Sequence, residues 1–325
     1  MNLPTFEDAI KSSRAFNIFL SDFRLGLGHA YMLVSPDDEI VSEYFSLVAF
    51  TIFCDTHSAC GNCVGCRTVA HENNTDITYF NREHQKIKVE MVKDLISTID
   101  IKPLMGKKLY FIERADLMNI DAQNKLLKTL EEPPEDVSFF LGVQNESAML
   151  DTIKSRCGVI HMDIFDRKTV YDVLKSFGVE DDAAEIAAAC SEGQLGKAKH
   201  IALSPEFAET YTFVCGLLKN LKRSANIIEY DNHSIVQKNT EIFLDILSIV
   251  LRDILALKDC PEVATSTFLK DKLMPLTHDF SERAIGDILL KINEVRKELS
   301  LNVNLTSAID DLFFYILEEK FKWQP

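Results

Sequence analysis

Four cysteines that lie close together in the chain have the spacing of a metal site. Cys60, Cys63 and Cys66 follow one another at CxxC intervals, and Cys54 lies six residues before the first of them. Four thiolates can complete a tetrahedral shell around Zn²⁺, and spacers of two residues let consecutive thiols reach one ion. Because four protein ligands leave no open position for a substrate, we predict a structural zinc ion bound by Cys54, Cys60, Cys63 and Cys66.

Two other interpretations of the cysteine cluster stay open. A redox-active CxxC pair is the rival, although three interleaved thiols beside a fourth fit that pattern poorly. In a zinc site, His57 or His71 could replace one of the cysteines as a ligand. Gly61 and Gly65 lie between the thiols, where they permit tight turns that direct backbone amides at the sulfurs.

A second candidate site has the position of a nucleotide site but lacks the residues that bind phosphate. A phosphate-binding loop needs a glycine-rich turn after a strand, followed by lysine and then serine or threonine. After the first predicted strand the chain reads Ser35-Pro36-Asp37-Asp38-Glu39, without glycine or lysine and with three carboxylates that would repel a triphosphate. We therefore expect a degenerate phosphate loop that binds no ATP.

The acids that bind magnesium and orient water in a P-loop ATPase are also altered. They would stand at the end of the third predicted strand, where this chain has Glu113 followed by Arg114. A guanidinium stays protonated at neutral pH, so it cannot act as a base. This second change agrees with the first in predicting that ATP is not hydrolysed here.

The elements that position these residues follow a regular alternation. Strands that alternate with helices indicate crossover units and a parallel sheet covered on both faces. The predicted strands are 29–34, 76–80, 108–113, 137–143 and 159–164, and the predicted helices between them are 39–53, 88–98 and 119–131.

The strand pattern ends near residue 166, and helical patterns continue from there. Three short helices are predicted at 166–177, 181–190 and 196–203, and longer amphipathic helices follow. We predict an α/β domain over residues 1–165 with a zinc module inserted at 54–66, a small helical domain over 166–204 and an all-helical domain over 205–325.

Composition and charge exclude several functional classes. The chain has 325 residues and a formal net charge of −15, from 50 acidic and 35 basic residues. This balance argues against binding to DNA by the chain alone. The sequence has no uncharged apolar run long enough to span a membrane, and its first residues lack the features of a signal peptide. We therefore expect a cytoplasmic protein with no membrane partner, in which the thiols are reduced or bind metal.

Five segments taken together resemble the clamp-loader branch of the AAA+ ATPases, over most of residues 20–200. They are the cysteine cluster, the triplet Ser155-Arg156-Cys157, and segments 28–31, 88–92 and 124–134. The resemblance implies that 1–165 is a RecA-like AAA+ domain, that 166–204 is a helical lid and that 205–325 is a helical collar joining subunits.

The same family contains an ATPase motor and subunits that do not hydrolyse ATP, and the lost motifs favour the second kind. In the ATPase motor of this family the lid carries an arginine that senses nucleotide. The resemblance implies that the matching position in this chain is Gly196, next to Lys197. It implies that Arg156, next to Ser155, is an arginine finger acting in trans on the γ-phosphate of a neighbouring ATPase subunit. From spacing alone, a single arginine is more often part of a surface ion pair.

The resemblance implies partners rather than independent catalysis. The partners are clamp-loader ATPase subunits of the tau/gamma type, a delta subunit, and a sliding clamp and primer–template DNA reached through the complex. The chain would then be a subunit of a DNA-directed DNA polymerase holoenzyme, a nucleotidyltransferase complex, that supports clamp loading during replication. Two alternatives stay open, a divergent ATPase motor of the tau/gamma type and a stand-alone zinc-dependent nucleic-acid-binding protein.

Overall fold

The computed structural model describes residues 5–224, 227, 230, 234–259, 273–301 and 303–322. The chain forms two compact units. The first consists of Met1–Val173 with Gly193–Lys197, and the second of Leu174–Glu192 with Ala198–Pro325. The three-domain division predicted from the sequence stays a prediction.

A five-stranded parallel sheet forms the centre of the first unit. Its strands are β1 (Ala30–Val34), β2 (Ile77–Phe80), β3 (Lys108–Ile112), β4 (Val137–Val143) and β5 (Gly158–His161). Their order across the sheet is β2-β3-β4-β1-β5, and every neighbouring pair is parallel. Each strand begins within one residue of its predicted start. The sheet confirms the predicted α/β class.

Helices connect these strands, and several of them are preceded by a residue whose side chain accepts a hydrogen bond from the first turn. Ser13, Asp37 and Asn119 have this role in α2, α3 and α6. Such caps satisfy backbone amides that have no partner within the helix. The helices in the described part of this unit are α1 (Glu7–Ser12), α2 (Arg14–Leu25), α3 (Asp38–Phe53), α4 (Val64–Ala70), α5 (Val89–Ser97), α6 (Ile120–Glu131), α7 (Asp151–Lys154) and α8 (Arg167–Ser176), which continues into the second unit.

Aromatic side chains fill both faces of the sheet. Successive strand residues point to opposite faces, so each strand supplies both layers of the core. The rings of Tyr31 and Phe140 stack on one face with centroids 5.1 Å apart, and Phe111 lies 5.1 Å from Phe140. On the other face the rings of Tyr110 and Phe139 are 5.2 Å apart. A sheet buried on both sides explains why its central strands are mainly apolar.

The described part of the second unit is helical, as predicted. Its core includes a buried lysine, Lys320, whose Nζ donates to the Leu218 carbonyl oxygen at 2.6 Å and lies 3.0 Å from the Asp279 carboxylate. The helices are α9 (Asp181–Cys190), α10 (Leu195–Leu203), which begins in the first unit, α11 (Pro205–Asn220), α12 (Ser234–Lys238), α13 (Thr240–Asp259), α14 (Glu282–Ser300) and α15 (Leu305–Lys322). Within the described residues, no helix is both long enough and apolar enough to cross a membrane.

Candidate functional site

The four cysteines converge where α3 ends and α4 begins. Cys54 directly follows α3, and Cys63 is the residue that caps α4. The four Sγ atoms all lie within 4.8 Å of one another, and those of Cys60 and Cys66 are 4.0 Å apart. A tetrahedral zinc site with Zn–S bonds of about 2.3 Å has sulfurs roughly 3.8 Å apart. The four thiols therefore fit the predicted ion with a small contraction.

The two glycines of this segment have different functions. Gly65 lies so close to the end of α3 that a Cβ atom there would overlap the carbonyl oxygen of Phe53. Gly61 has a φ of +73°, a conformation that glycine adopts without strain. Gly65 thus allows α4 to pack against α3, and Gly61 allows the turn between Cys60 and Cys63.

Hydrogen bonds from backbone amides lower the pKa of two of the thiols. Burial tends to raise the pKa of Cys54, but hydrogen bonds from the Cys60 amide, 3.4 Å away, and from Thr56 outweigh it and lower the pKa to about 5. The amides of Asp55 and Cys66 lower the pKa of Cys63. Burial raises the pKa of Cys66. Since the thiolate is the form that binds metal, Cys54 and Cys63 are the thiols most ready to coordinate.

Neither histidine considered as an alternative ligand joins the cluster. The Nδ1 atom of His57 lies 3.2 Å from the carbonyl oxygen of Thr51, and its ring packs edge-on against Phe23. His71 ends α4 and donates its backbone amide to the carbonyl oxygen of Arg67 at 3.1 Å. Among the described residues, the group that could hold a metal consists of the four cysteines.

In residues 35–39, the expected degenerate phosphate loop, the Asp37 carboxylate accepts hydrogen bonds from backbone amides of two helices. Its Oδ1 atom accepts the Ile40 amide of α3 at 3.3 Å, and its Oδ2 atom accepts the Gly196 amide of α10 at 2.8 Å. Burial raises the pKa of Asp37, and these hydrogen bonds oppose the rise. Ser35 adds a further link, because its hydroxyl accepts the Asp37 amide at 3.1 Å. A carboxylate of the chain itself is therefore the hydrogen-bond acceptor at the start of α3.

Gly196 fits tightly against the same loop. A Cβ atom at this position would overlap Oδ1 of Asp37 and would lie 2.7 Å from Cβ of Glu39. An arginine at position 196 would therefore collide with the loop before its side chain could extend. Lys197, the next residue, is half-buried.

Asp38 and the pair Glu113 and Arg114 meet in one network of charges. Arg114 has a φ of +51° and extends its guanidinium to Asp38 at 3.3 Å and to Asp116 at 3.2 Å. Glu113 is buried, and its Oε2 atom accepts a hydrogen bond from Ser42 at 2.7 Å. Glu113 and Arg114, which stand where an acid pair is expected, thus form their hydrogen bonds and ion pairs with residues of the chain itself.

His84 joins the two acids of this network, which the sequence reasoning missed. Its Nδ1 atom lies 3.4 Å from Asp38 and its Nε2 atom 3.2 Å from the Glu113 carboxylate. His84 lies in the loop after β2, and Glu113 directly follows the neighbouring strand β3. The order of the strands is the signal that would have paired them.

Arg156 lies at the surface of the first unit, after α7. Its Nη2 atom lies 2.6 Å from the Glu131 carboxylate, and its Nη1 atom donates to the carbonyl oxygen of Thr152 at 2.9 Å. The hydroxyl of Ser155 donates to the same carbonyl at 3.0 Å. The Arg156 side chain is 34% exposed. In the described residues its ion pair is with Glu131, and it forms none with the acids of the degenerate loop.

A buried glutamine connects α6 to the segment that carries Arg156, and the sequence reasoning assigned it no role. Gln123 donates to the carbonyl oxygen of Ala148 at 2.9 Å and accepts the amide of Leu150 at 2.8 Å. Leu150 precedes α7, which ends directly before Ser155. Gln123 therefore fixes the start of the segment that leads to Arg156.

Comparison with known proteins finds similarity to subunits of DNA polymerase III. The family model described as "DNA polymerase III, delta subunit" matches residues 14–166. A "DNA polymerase III subunit delta'" of Bacillus subtilis is 26% identical over 304 residues, which are 90% of this chain and 92% of that protein. One from Pseudomonas aeruginosa is 33% identical over 135 residues, 40% of this chain and 41% of that protein.

Subunits with another name also occur among the relatives. A "DNA polymerase III subunit tau" of Escherichia coli is 28% identical over 202 residues, so the match spans 59% of this chain but only 31% of that protein. The match to the Bacillus subtilis relative, in contrast, extends over nearly the full length of both chains. Together with the parallel sheet and the helical second unit, these findings support the resemblance seen in the motifs: the chain is similar to delta-prime subunits of DNA polymerase III.

Proposed function

We propose that this chain is a non-hydrolysing subunit of a DNA polymerase III clamp loader and supplies Arg156 to the ATP site of a neighbouring subunit. The observation that carries the proposal is a contrast within the first unit. The degenerate phosphate loop is closed by the Asp37 carboxylate, whereas Arg156 stands at the surface with one exposed ion-pair partner.

Electrostatics support the absence of ATP binding. Asp37 already accepts a hydrogen bond from an amide at the start of α3, where a phosphate would bind, and another from the start of α10. Asp38 and Glu39 add negative charge beside it. A triphosphate would have to displace a buried carboxylate and then remain next to two others. Arg114, which could attract it, is bound to Asp38 and Asp116.

The surroundings of Arg156 support a role in trans. An exposed ion pair contributes about 0–1 kcal/mol, so the guanidinium can leave Glu131 at little cost. At a γ-phosphate it would stabilise the charge that develops during phosphoryl transfer, an effect of about 10³- to 10⁵-fold for arginine fingers. In this chain the guanidinium also donates through Nη1 to the carbonyl oxygen of Thr152 and to the Ser155 hydroxyl. The gain at a neighbouring site therefore far exceeds the loss in this chain.

The proposed partners follow from the names of the relatives and from this division of roles. ATPase subunits of the tau/gamma type would contribute the nucleotide, and a delta subunit would complete the loader. The sliding clamp and primer–template DNA would be reached through the complex, in the cytoplasm. A net charge of −15 suits a chain that contacts DNA as part of an assembly.

The test is single-turnover ATP hydrolysis by the reconstituted complex in the presence of primed DNA. We expect Arg156→Ala to leave assembly intact and to slow hydrolysis at the neighbouring site by about 10³-fold or more. Lys154→Ala is the matched control, since it removes a cation two residues away that is paired with Asp151. An unchanged rate for Arg156→Ala would remove the proposed role.

A divergent ATPase motor is the second candidate, and the matches to tau subunits favour it. Titration of the isolated chain with ATP separates the two candidates. Micromolar affinity would support the motor, and no saturable binding would support the non-hydrolysing subunit. Strong DNA binding by the isolated chain, with a steep dependence on salt, would instead support a stand-alone nucleic-acid-binding protein.

A further inference from the structure

Asp37 connects two segments that are far apart in the sequence. It precedes α3, and its carboxylate accepts one amide from that helix and one from Gly196, the second residue of α10. The two residues are 159 positions apart. Asp37 is 8% exposed, so water competes little for these hydrogen bonds. One buried carboxylate thus holds the starts of two helices together.

The segment that reaches Asp37, residues 193–197, is also fixed at its other end. The carbonyl oxygen of Gly193 accepts the amide of Phe165 at 3.2 Å. Gly193 has a φ of +79°, and a Cβ atom there would overlap Ile164 and the carbonyl oxygen of Phe165. With Gly196 packed against Asp37 and Glu39, both ends of the segment are seated on the first unit, to which it belongs.

We propose that Asp37 is a positioning residue that holds residues 193–197 in place as a built-in anion, independently of nucleotide. The starts of helices attract negative charge, and here the charge is part of the chain. A phosphate that binds and leaves would make the position of the segment depend on ATP. A carboxylate on the chain holds it at all times. This inference rests on the proposed function, because it assumes that ATP does not compete for the same amides.

Two substitutions at position 37 distinguish the hydrogen bond to Ile40 from the hydrogen bond to Gly196. Asp37→Ser keeps one oxygen, and serine is a good capping residue, so the bond to the Ile40 amide is retained. The second oxygen is lost, and with it the bond to Gly196. Asp37→Ala loses both bonds. Exchange of individual amide hydrogens, measured by NMR on the full chain, reports each bond directly.

We expect the Gly196 amide to exchange about 10-fold faster or more in both variants, because a hydrogen bond to a charged group is lost. The Ile40 amide should exchange faster in Asp37→Ala alone. The internal control is the amide of Ala122, which donates to Oδ1 of Asn119 at 2.8 Å, and its exchange rate should be unchanged. Unchanged Gly196 exchange in both variants would overturn the inference.

A third variant guards against general unfolding of the Asp37 variants. Gly196→Ala places a methyl group against Oδ1 of Asp37 and near Cβ of Glu39, so it should speed amide exchange in residues 193–197. In combination with Asp37→Ala it should add little, since both changes break the same contact. Fully additive effects would contradict the inference.

MgATP distinguishes this inference from the proposed function. The wild-type exchange rates of residues 193–197 should be the same with and without MgATP. If MgATP slows them and a titration shows binding, the non-hydrolysing role itself fails. If MgATP has no effect and Asp37→Ser leaves Gly196 protected, the proposed function stands and only the role of Asp37 is lost.

Discussion

Asp37 is a charged group whose burial opposes its charge. Because its pKa in the folded chain is raised, the ionised form lowers stability above that pKa. This cost disappears as the pH falls through the raised pKa toward the ordinary aspartate value of about 3.9. The wild type should therefore gain stability, relative to Asp37→Asn, as the pH is lowered from 7 to 4.

Denaturant unfolding of both proteins at several pH values measures this difference. Asp151→Asn provides a control of opposite sign, since Lys154 lowers the pKa of Asp151. The wild type should lose stability relative to that variant as the pH falls. A difference between wild type and Asp37→Asn that stays constant across the range would contradict the argument.

His84 is a second residue whose contacts make a testable contribution to stability. It lies between the carboxylates of Asp38 and Glu113, and the Glu113 side chain is 5% exposed. His84→Ala would leave that buried carboxylate without one of its donors, which costs about 1–3 kcal/mol. We expect a lower midpoint of thermal unfolding at pH 7. His161→Ala is the control, because its contact with Glu146 is 3.7 Å long and its side chain is 64% exposed.

At the scale of elements, the cysteine cluster joins the end of α3 to the start of α4. We expect the purified protein to contain one equivalent of zinc, measured by elemental analysis. Removal of zinc by a chelator should expose residues 54–70 to amide exchange while the sheet remains protected. A metal-free preparation that is as stable as the zinc-bound one would refute the site.

One substitution separates metal binding from helix capping. Cys63→Ser removes a ligand but keeps an oxygen that can cap α4. It should lose zinc while α4 stays helical. Cys190→Ser, in the buried face of α9, should keep the full zinc content. Retention of zinc by Cys63→Ser would show that the four thiols do not act together.

The elements of the first unit were predictable because their signals are local. An apolar run predicts a buried strand, and Asn119 and the proline pair after Glu132 mark the ends of α6. The end of β5, in contrast, has no local signal in the sequence. It was predicted at residue 164 but lies at His161, because its neighbour β1 ends at Val34, the partner of His161. A strand at the edge of a sheet extends only as far as its neighbour does.

At the scale of the whole molecule, the same distinction separates the two candidate sites. The cysteine cluster spans thirteen residues, so its spacing was visible in the sequence. The network of Asp38, His84 and Glu113 is assembled from segments that follow different strands. Ser42 and Glu113, for example, are 71 residues apart and 2.7 Å from each other. Sequence patterns cannot show such a contact until the order of the strands is known.

The close packing of Gly196 limits how this chain can change in evolution. A single substitution to arginine at position 196 is blocked while Asp37 and Glu39 occupy the adjacent space. Restoring a glycine and a lysine to the loop alone would leave Asp37 in place. Recovery of an ATP site would thus require simultaneous changes in segments about 160 residues apart. Such a combination is rarely reached through stable intermediates, so the proposed division of labour between subunits would be difficult to reverse.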